Sequence, residues 1–173
     1  LDHTGPVGAS GLGGDAGATG IDGRQGASGA LGNGSTANAN SPVPIGTSSW
    51  TALAGQSAAI RIDGRLFAWG PNTNGQLGDN TTTNRLTPTQ IGVDTDWEYV
   101  EASMQYSIAI KNGQLYTWGR NAFANLGDNK YTTVKIPNKI SDDSNFYFIS
   151  IEVYSDVPAY SLILSISLSV LSK

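Results

Sequence analysis

Cysteine is absent from this chain of 173 residues. That excludes disulfides, thiolate metal sites and cysteine nucleophiles. Histidine occurs once, at His3. A single imidazole ahead of a glycine run is a poor general base and far too little for a histidine-based metal site. Charge is sparse: Asp, Glu, Lys and Arg make up 14%, and the net charge is −4. A nucleic-acid or anionic-membrane footprint needs clustered Lys and Arg, so no nucleic-acid partner is expected. Long apolar runs are missing too. The nearest, Tyr160 to Leu171, is interrupted by Ser161, Ser165, Ser167 and Ser169. It falls well short of the ~20 apolar residues of a membrane helix, so no membrane insertion is expected. Leu1 to Gly20 carries neither the basic nor the apolar region of a secretory leader. There is no P-loop, no G-x-S-x-G and no zinc motif.

Glycine, by contrast, is abundant. It occupies Gly5, Gly8, Gly11, Gly14, Gly17, Gly20, Gly23, Gly26, Gly29 and Gly32 in an unbroken period of three. Such a period reads as a collagen-type triple helix, in which only a hydrogen side chain fits at the crowded axis. The competing reading is a flexible glycine-rich tether, because proline appears in the run only at Pro6. The triple helix makes the chain a homotrimer with a narrow stalk, roughly 80–90 Å long at ~3.1 Å per residue. Residues 1–34 are assigned to this segment. Residues 35–47 (STANANSPVPIGT) are small, polar and proline-bearing, and read as a linker.

Beyond the linker the chain repeats itself. Asp63 to Asn80 reads DGRLFAWGPNTNGQLGDN, and Asn112 to Asn129 reads NGQLYTWGRNAFANLGDN. The match holds 49 positions apart, through Trp69/Trp118, Leu77/Leu126 and Asn80/Asn129. A period of this size marks a stacked or radial array, whose units bury their apolar faces against each other. Short strands are expected at Trp50 to Ala54, Ala58 to Ile62 and Leu66 to Trp69, with Asp63-Gly64 as a two-residue type I′ turn. The second set is Tyr99 to Ala102, Ser107 to Lys111 and Leu115 to Trp118, turning at Asn112-Gly113. Thr87 to Ile91 and Val134 to Ile140 contain Pro88 and Pro137, which suits edge strands. Four strands per repeat describe a propeller blade.

The pattern D/N-G-x-L-[FY]-x-W-G-x-N-x-x-x-x-L-G-D-N resembles the repeat of the regulator of chromosome condensation family. The resemblance implies an all-β fold, here a partial β-propeller over residues 48–173. Two clear blades would be followed by a degenerate third that begins near Phe146, after which no Trp-Gly recurs. Trimerisation through the glycine run would let three copies share one ring.

No residue is assigned a catalytic, cofactor-binding or metal role, and no cofactor is expected. Trp69, Trp118, Trp50 and Trp97 read as core packing more readily than as sugar-stacking platforms. Asp79-Asn80 and Asp128-Asn129 read as turn residues bonding their own backbone more readily than as Ca²⁺ ligands. Asp142-Asp143 reads as a solvated loop. Glu98 and Glu101 lie on opposite sides of a strand pattern and form no acid pair for glycoside chemistry. The leading expectation is a non-enzymatic structural or adhesive protein on a virion or cell surface, with a protein or glycan receptor at its propeller. The alternative is the intracellular regulator that the family resemblance implies, acting on a small GTPase or chromatin. A fibre-borne glycan-cleaving enzyme is the third.

Overall fold

The computed structural model describes residues 29–37, 39, 41–54 and 58–140. Strands β1 (Trp50–Ala54), β2 (Ala58–Arg61), β3 (Leu66–Gly70) and β4 (Arg85–Gln90) form one antiparallel sheet in sequence order. Strands β5 (Trp97–Ala102), β6 (Tyr106–Lys111), β7 (Gln114–Gly119) and β8 (Val134–Lys139) form a second in the same order. These are two blades of an all-β partial propeller. Pro88 and Pro137 fall on the outermost strands β4 and β8, where a missing N–H breaks no ladder. The degenerate third unit lies outside the described residues.

The two blades repeat their internal contacts. Trp50 pairs with Arg61, and Trp97 with Lys111. Trp50 stands edge-on to Phe67 at 5.4 Å, and Trp97 to Tyr116 at 5.3 Å. Arg61 lies over the Phe67 ring and Lys111 over Tyr116. One core cluster joins the blades, with Ala58, Ile60, Leu66 and Leu77 of the first packed on Trp97, Val100, Ala109 and Trp118 of the second. Burying that mixed apolar face is what a single four-stranded sheet cannot do alone.

The turns differ. Asn112 and Gly113 have φ of 51° and 66°, with Lys111 paired to Gln114, as a two-residue type I′ turn requires. The first turn is not of this kind. Arg61 donates its N–H to Arg65, Gly64 donates to Arg61, and only Gly64 has positive φ. Ile62-Asp63-Gly64 is thus a three-residue loop, of the kind that ends a type I turn on a left-handed glycine. Asp63 fits there because its carboxylate bonds Arg61 and Arg65 at 2.5 and 2.6 Å.

The first blade also reaches further upstream than expected. Gly29 and Gly32 have φ of 80° and 66°, opposite in sign to polyproline II. Ala30 and Leu31 are buried, and Ile45 of the expected linker packs with Ala59 and Trp69. The last two glycines of the triplet run therefore belong to a loop seated on the first blade. Gly5 to Gly26 lie outside the described residues.

Candidate functional site

Each blade places a long loop between its third and fourth strands, residues 71–84 and 120–133. The Trp-Gly landmark starts it. A Cβ on Gly119 would stand 2.5 Å from the Gln105 carbonyl oxygen and from Tyr106 Cα, and its φ is 109°. Only glycine lets the chain leave β7 there. Two residues on, a fully buried asparagine organises the loop. Asn72 Oδ1 accepts from the Leu77 N–H, and the side-chain amide donates to Asp79 Oδ1 and the Thr81 and Thr83 carbonyls. Asn121 does the same with Leu126, Asp128 and Lys130. The spaced N…L-G-D part of the pattern is thus one hydrogen-bonded unit, organised by a buried amide whose own groups are satisfied as burial demands.

Asp79 and Asp128 act as the turn residues they were read to be. Asp79 Oδ1 accepts from the Thr81 N–H, and Asp128 Oδ1 from the Lys130 N–H, each at 3.0 Å. Burial pushes the Asp79 carboxyl upward, but hydrogen bonds from Thr81, Arg85 and Asn72 outweigh it and hold it below its ordinary range. Among the described residues no cluster of three metal-ligating side chains occurs.

The loop of one blade is also the seat of the next. The Trp118 indole N–H donates to the Gln76 carbonyl at 2.8 Å, joined there by the Ser107 hydroxyl at 2.8 Å. The Trp69 indole donates to the Ala30 carbonyl at 3.0 Å. Trp69 and Trp118 are core residues, as read, but the polar edge of Trp118 also fastens blade to blade, and that of Trp69 fastens the upstream loop to the first blade. Periodicity alone carries no signal for that second role. Trp97 is buried and Trp50 half-buried, and neither indole nitrogen has a hydrogen-bond partner among the described residues.

Glu98 is exposed and accepts from the Gly113 N–H, whereas Glu101 is bonded by the Tyr99 hydroxyl at 3.3 Å. Burial raises the Glu101 carboxyl above its ordinary range and, with Glu101 beside it, pushes the Tyr99 hydroxyl up to about 12. The two glutamates meet different partners and make no acid pair. His3 and Asp142-Asp143 lie outside the described residues.

One surface was not singled out from sequence. The β5–β6 turn and the 120–133 loop lie at the same end of the second blade. They expose Met104, Phe123 and Tyr131, at 66%, 53% and 72% of their full area. Arg120 bonds the Gln105 side chain and lies over the Phe123 ring. In the first loop the positions of Phe123 and Tyr131 hold Asn74 and Thr82. Aromatic and methionine side chains exposed at one end of a blade are of the types found at contact surfaces.

The architecture has close counterparts. Yeast RCC1 (Prp20), solved bound to Kap60, is 19% identical with a TM-score of 0.59, over 66% of this chain and 31% of that one. Prp20p from Saccharomyces cerevisiae, described with its binding to Gsp1p and histones, is 19% identical with a TM-score of 0.58, over 68% and 33%. Human WBSCR16 is 18% identical with a TM-score of 0.55, over 66% and 33%. Such identities carry the fold alone, and the chain spans about a third of each structure. The expected placement on a virion or cell surface is overturned by these matches, one of them described with its binding to histones, and by the match to a chromosome condensation repeat that follows. The profile of the Regulator of chromosome condensation (RCC1) repeat matches residues 63–110 and 112–153. With just over half of the sequence so matched and both Trp-Gly blades formed, the chain belongs to the RCC1 repeat family.

Proposed function

We propose that this chain is a protein-binding segment of an RCC1-type propeller and acts through protein–protein contacts, not through covalent chemistry. The observation that carries this is the rim of Met104, Phe123 and Tyr131 on the loop end of the second blade. Exposed aromatics beside an arginine are the residue types that dominate protein interfaces. The two Prp20 structures support the class of partner, since they name Kap60, Gsp1p and histones as binders of that protein. A net charge of −4 suits a basic partner. Immobilised full-length chain should bind core histones or a small GTPase saturably. Joint replacement Phe123→Ala and Tyr131→Ala should weaken that binding at least about tenfold, with the unfolding midpoint unchanged. Binding that ignores both changes would defeat the proposal.

The strict glycine period from Gly5 to Gly26 supports a second element, self-association as a homotrimer. Three joined rims would multiply weak contacts. Sedimentation of the intact chain and of a variant lacking residues 1–28 tests this. A trimer that becomes a monomer is expected; a monomer in both cases refutes it.

A further inference from the structure

The two long loops share a frame but not a lining. Asn72 and Asn121 donate to Asp79 Oδ1 and Asp128 Oδ1 alike, at 2.9 and 2.8 Å. In the first loop the remaining positions close over the carboxylate. The Thr81 hydroxyl donates to Asp79 Oδ1 at 2.7 Å, and Arg85 Nε donates to Oδ2 at 2.6 Å. Asn84 Oδ1 accepts from the Asn72 N–H. At the same repeat offset Thr81, Asn84 and Arg85 become Lys130, Thr133 and Val134. Asp128 Oδ2 is buried there, and it has no partner among the described residues. Lys130 is exposed and meets the carboxylate through its backbone N–H.

The first loop shows what satisfies such an oxygen. Arg85 brings two groups, Nε and Nη2, to a single carboxylate oxygen. That fork is a property of guanidinium. A lysine ammonium is a compact, strongly hydrated point charge that is harder to strip of water. Arg85 also shows the way in. Its side chain keeps 32% of its area exposed, while that of Asp79 keeps 5%. A cation in this position therefore has one side open to solvent, and Val134 is too short to occupy it. A metal suits the place poorly, because no cluster of three metal-ligating side chains occurs among the described residues.

We infer that Asp128 receives an arginine side chain of the bound partner protein, in the position that Arg85 holds in the first blade. This deepens the reading of the Met104, Phe123 and Tyr131 rim as a protein-binding surface and rests on it. Phe123 and Tyr131 stand on the same loop as Asp128, and the net charge of −4 favours a basic partner. The guanidinium turns an unsatisfied buried oxygen into a charge-assisted pair, so a penalty carried by the free chain is relieved on binding. Asp79 offers no such site, because Arg85 already serves it.

Two peptides of equal length and charge test this on the full chain. One alternates arginine with glycine, the other lysine with glycine, and binding is read by titration calorimetry. The arginine peptide should bind at least about tenfold more tightly, the effect of a hydrogen bond to a buried charge. Asp128→Asn keeps an acceptor for Asn121 and should bring the two peptides within about threefold of each other, as for exposed charges. Val134→Arg, which fills the place from within, should do the same. Asp79→Asn, an equal charge change in the other blade, should leave the preference intact. Equal affinities in the parent chain would overturn the inference, as would loss of the preference in Asp79→Asn. Saturable histone binding without an arginine preference would sink the Asp128 site and leave the rim standing. A preference lost in Asp128→Asn, in a chain whose histone binding ignores Phe123→Ala and Tyr131→Ala, would support the Asp128 site and defeat the rim.

Discussion

The first blade closes its long loop with an arginine, and the second does not. The Asp79 side chain is 5% exposed, and its Oδ2 accepts from Arg85 Nε and Nη2 at 2.6 and 2.5 Å. At the matching place in the second blade stands Val134, and Asp128 Oδ2 is buried with no partner among the described residues. The two loops nevertheless follow the same path. The arginine is thus an addition to a loop already held by Asn72 or Asn121, and the lesson is that backbone geometry and charge compensation are separable within one motif. An uncompensated buried carboxylate oxygen is costly, so the second loop is the weaker of the two.

The severest test of the equivalence is removal of its shared anchor. Trp69→Ala and Trp118→Ala should each cost about 3–5 kcal/mol, as large buried aromatics do, read from urea unfolding followed by circular dichroism. A loss below about 1 kcal/mol at either position would break the likeness of the blades. Next come the asparagines. Asn72→Ala and Asn121→Ala should each cost about 2–3 kcal/mol, because each leaves a buried leucine N–H without an acceptor.

Exchange of the odd residue sharpens the contrast itself. Arg85→Val should cost about 1–3 kcal/mol by stranding a nearly buried carboxylate beside a partly exposed partner. Val134→Arg should stabilise by about 0.5–1.5 kcal/mol by supplying Asp128 with a charged donor. Opposite signs are expected in the same chemical denaturation experiment, and two losses would show that Asp128 does not lack a cation.

Acid provides the gentlest probe. The Asp79 carboxyl is held below its ordinary value in the folded chain. Its contribution to stability is therefore complete above about pH 4, the unfolded value, and is lost as pH falls through the lower folded value. Asp79→Asn should flatten the decline of the unfolding midpoint below about pH 4. An unchanged acid slope would assign that decline to other carboxyls.

Much of this was legible because the repeat is a local device. The loop asparagine and Leu-Gly-Asp interact within ten residues of one another, so their spacing survives in the linear sequence. Edge strands were readable from Pro88 and Pro137, since a missing N–H excludes the sheet interior. The Asp63-Gly64 turn misled because Asp-Gly suits both hairpin lengths, and the choice fell to the pairing of Arg61 with Arg65. Gly29 and Gly32 misled because glycine at a triplet position and glycine under an indole look alike in one dimension. The rim of Met104, Phe123 and Tyr131 carried no pattern at all. Its members come from two separate turns, and no periodicity connects them.

The linear chain by itself determined the strands, their order and the place of the long loop with its aspartate turns, because each rests on residues close in sequence or on the alternation of one strand. What only the tertiary structure decided is how those units engage. Trp118 finds Gln76 and Trp69 finds Ala30 across 42 and 39 residues, and no local preference encodes a hydrogen bond that exists only when a distant loop is pressed against a sheet.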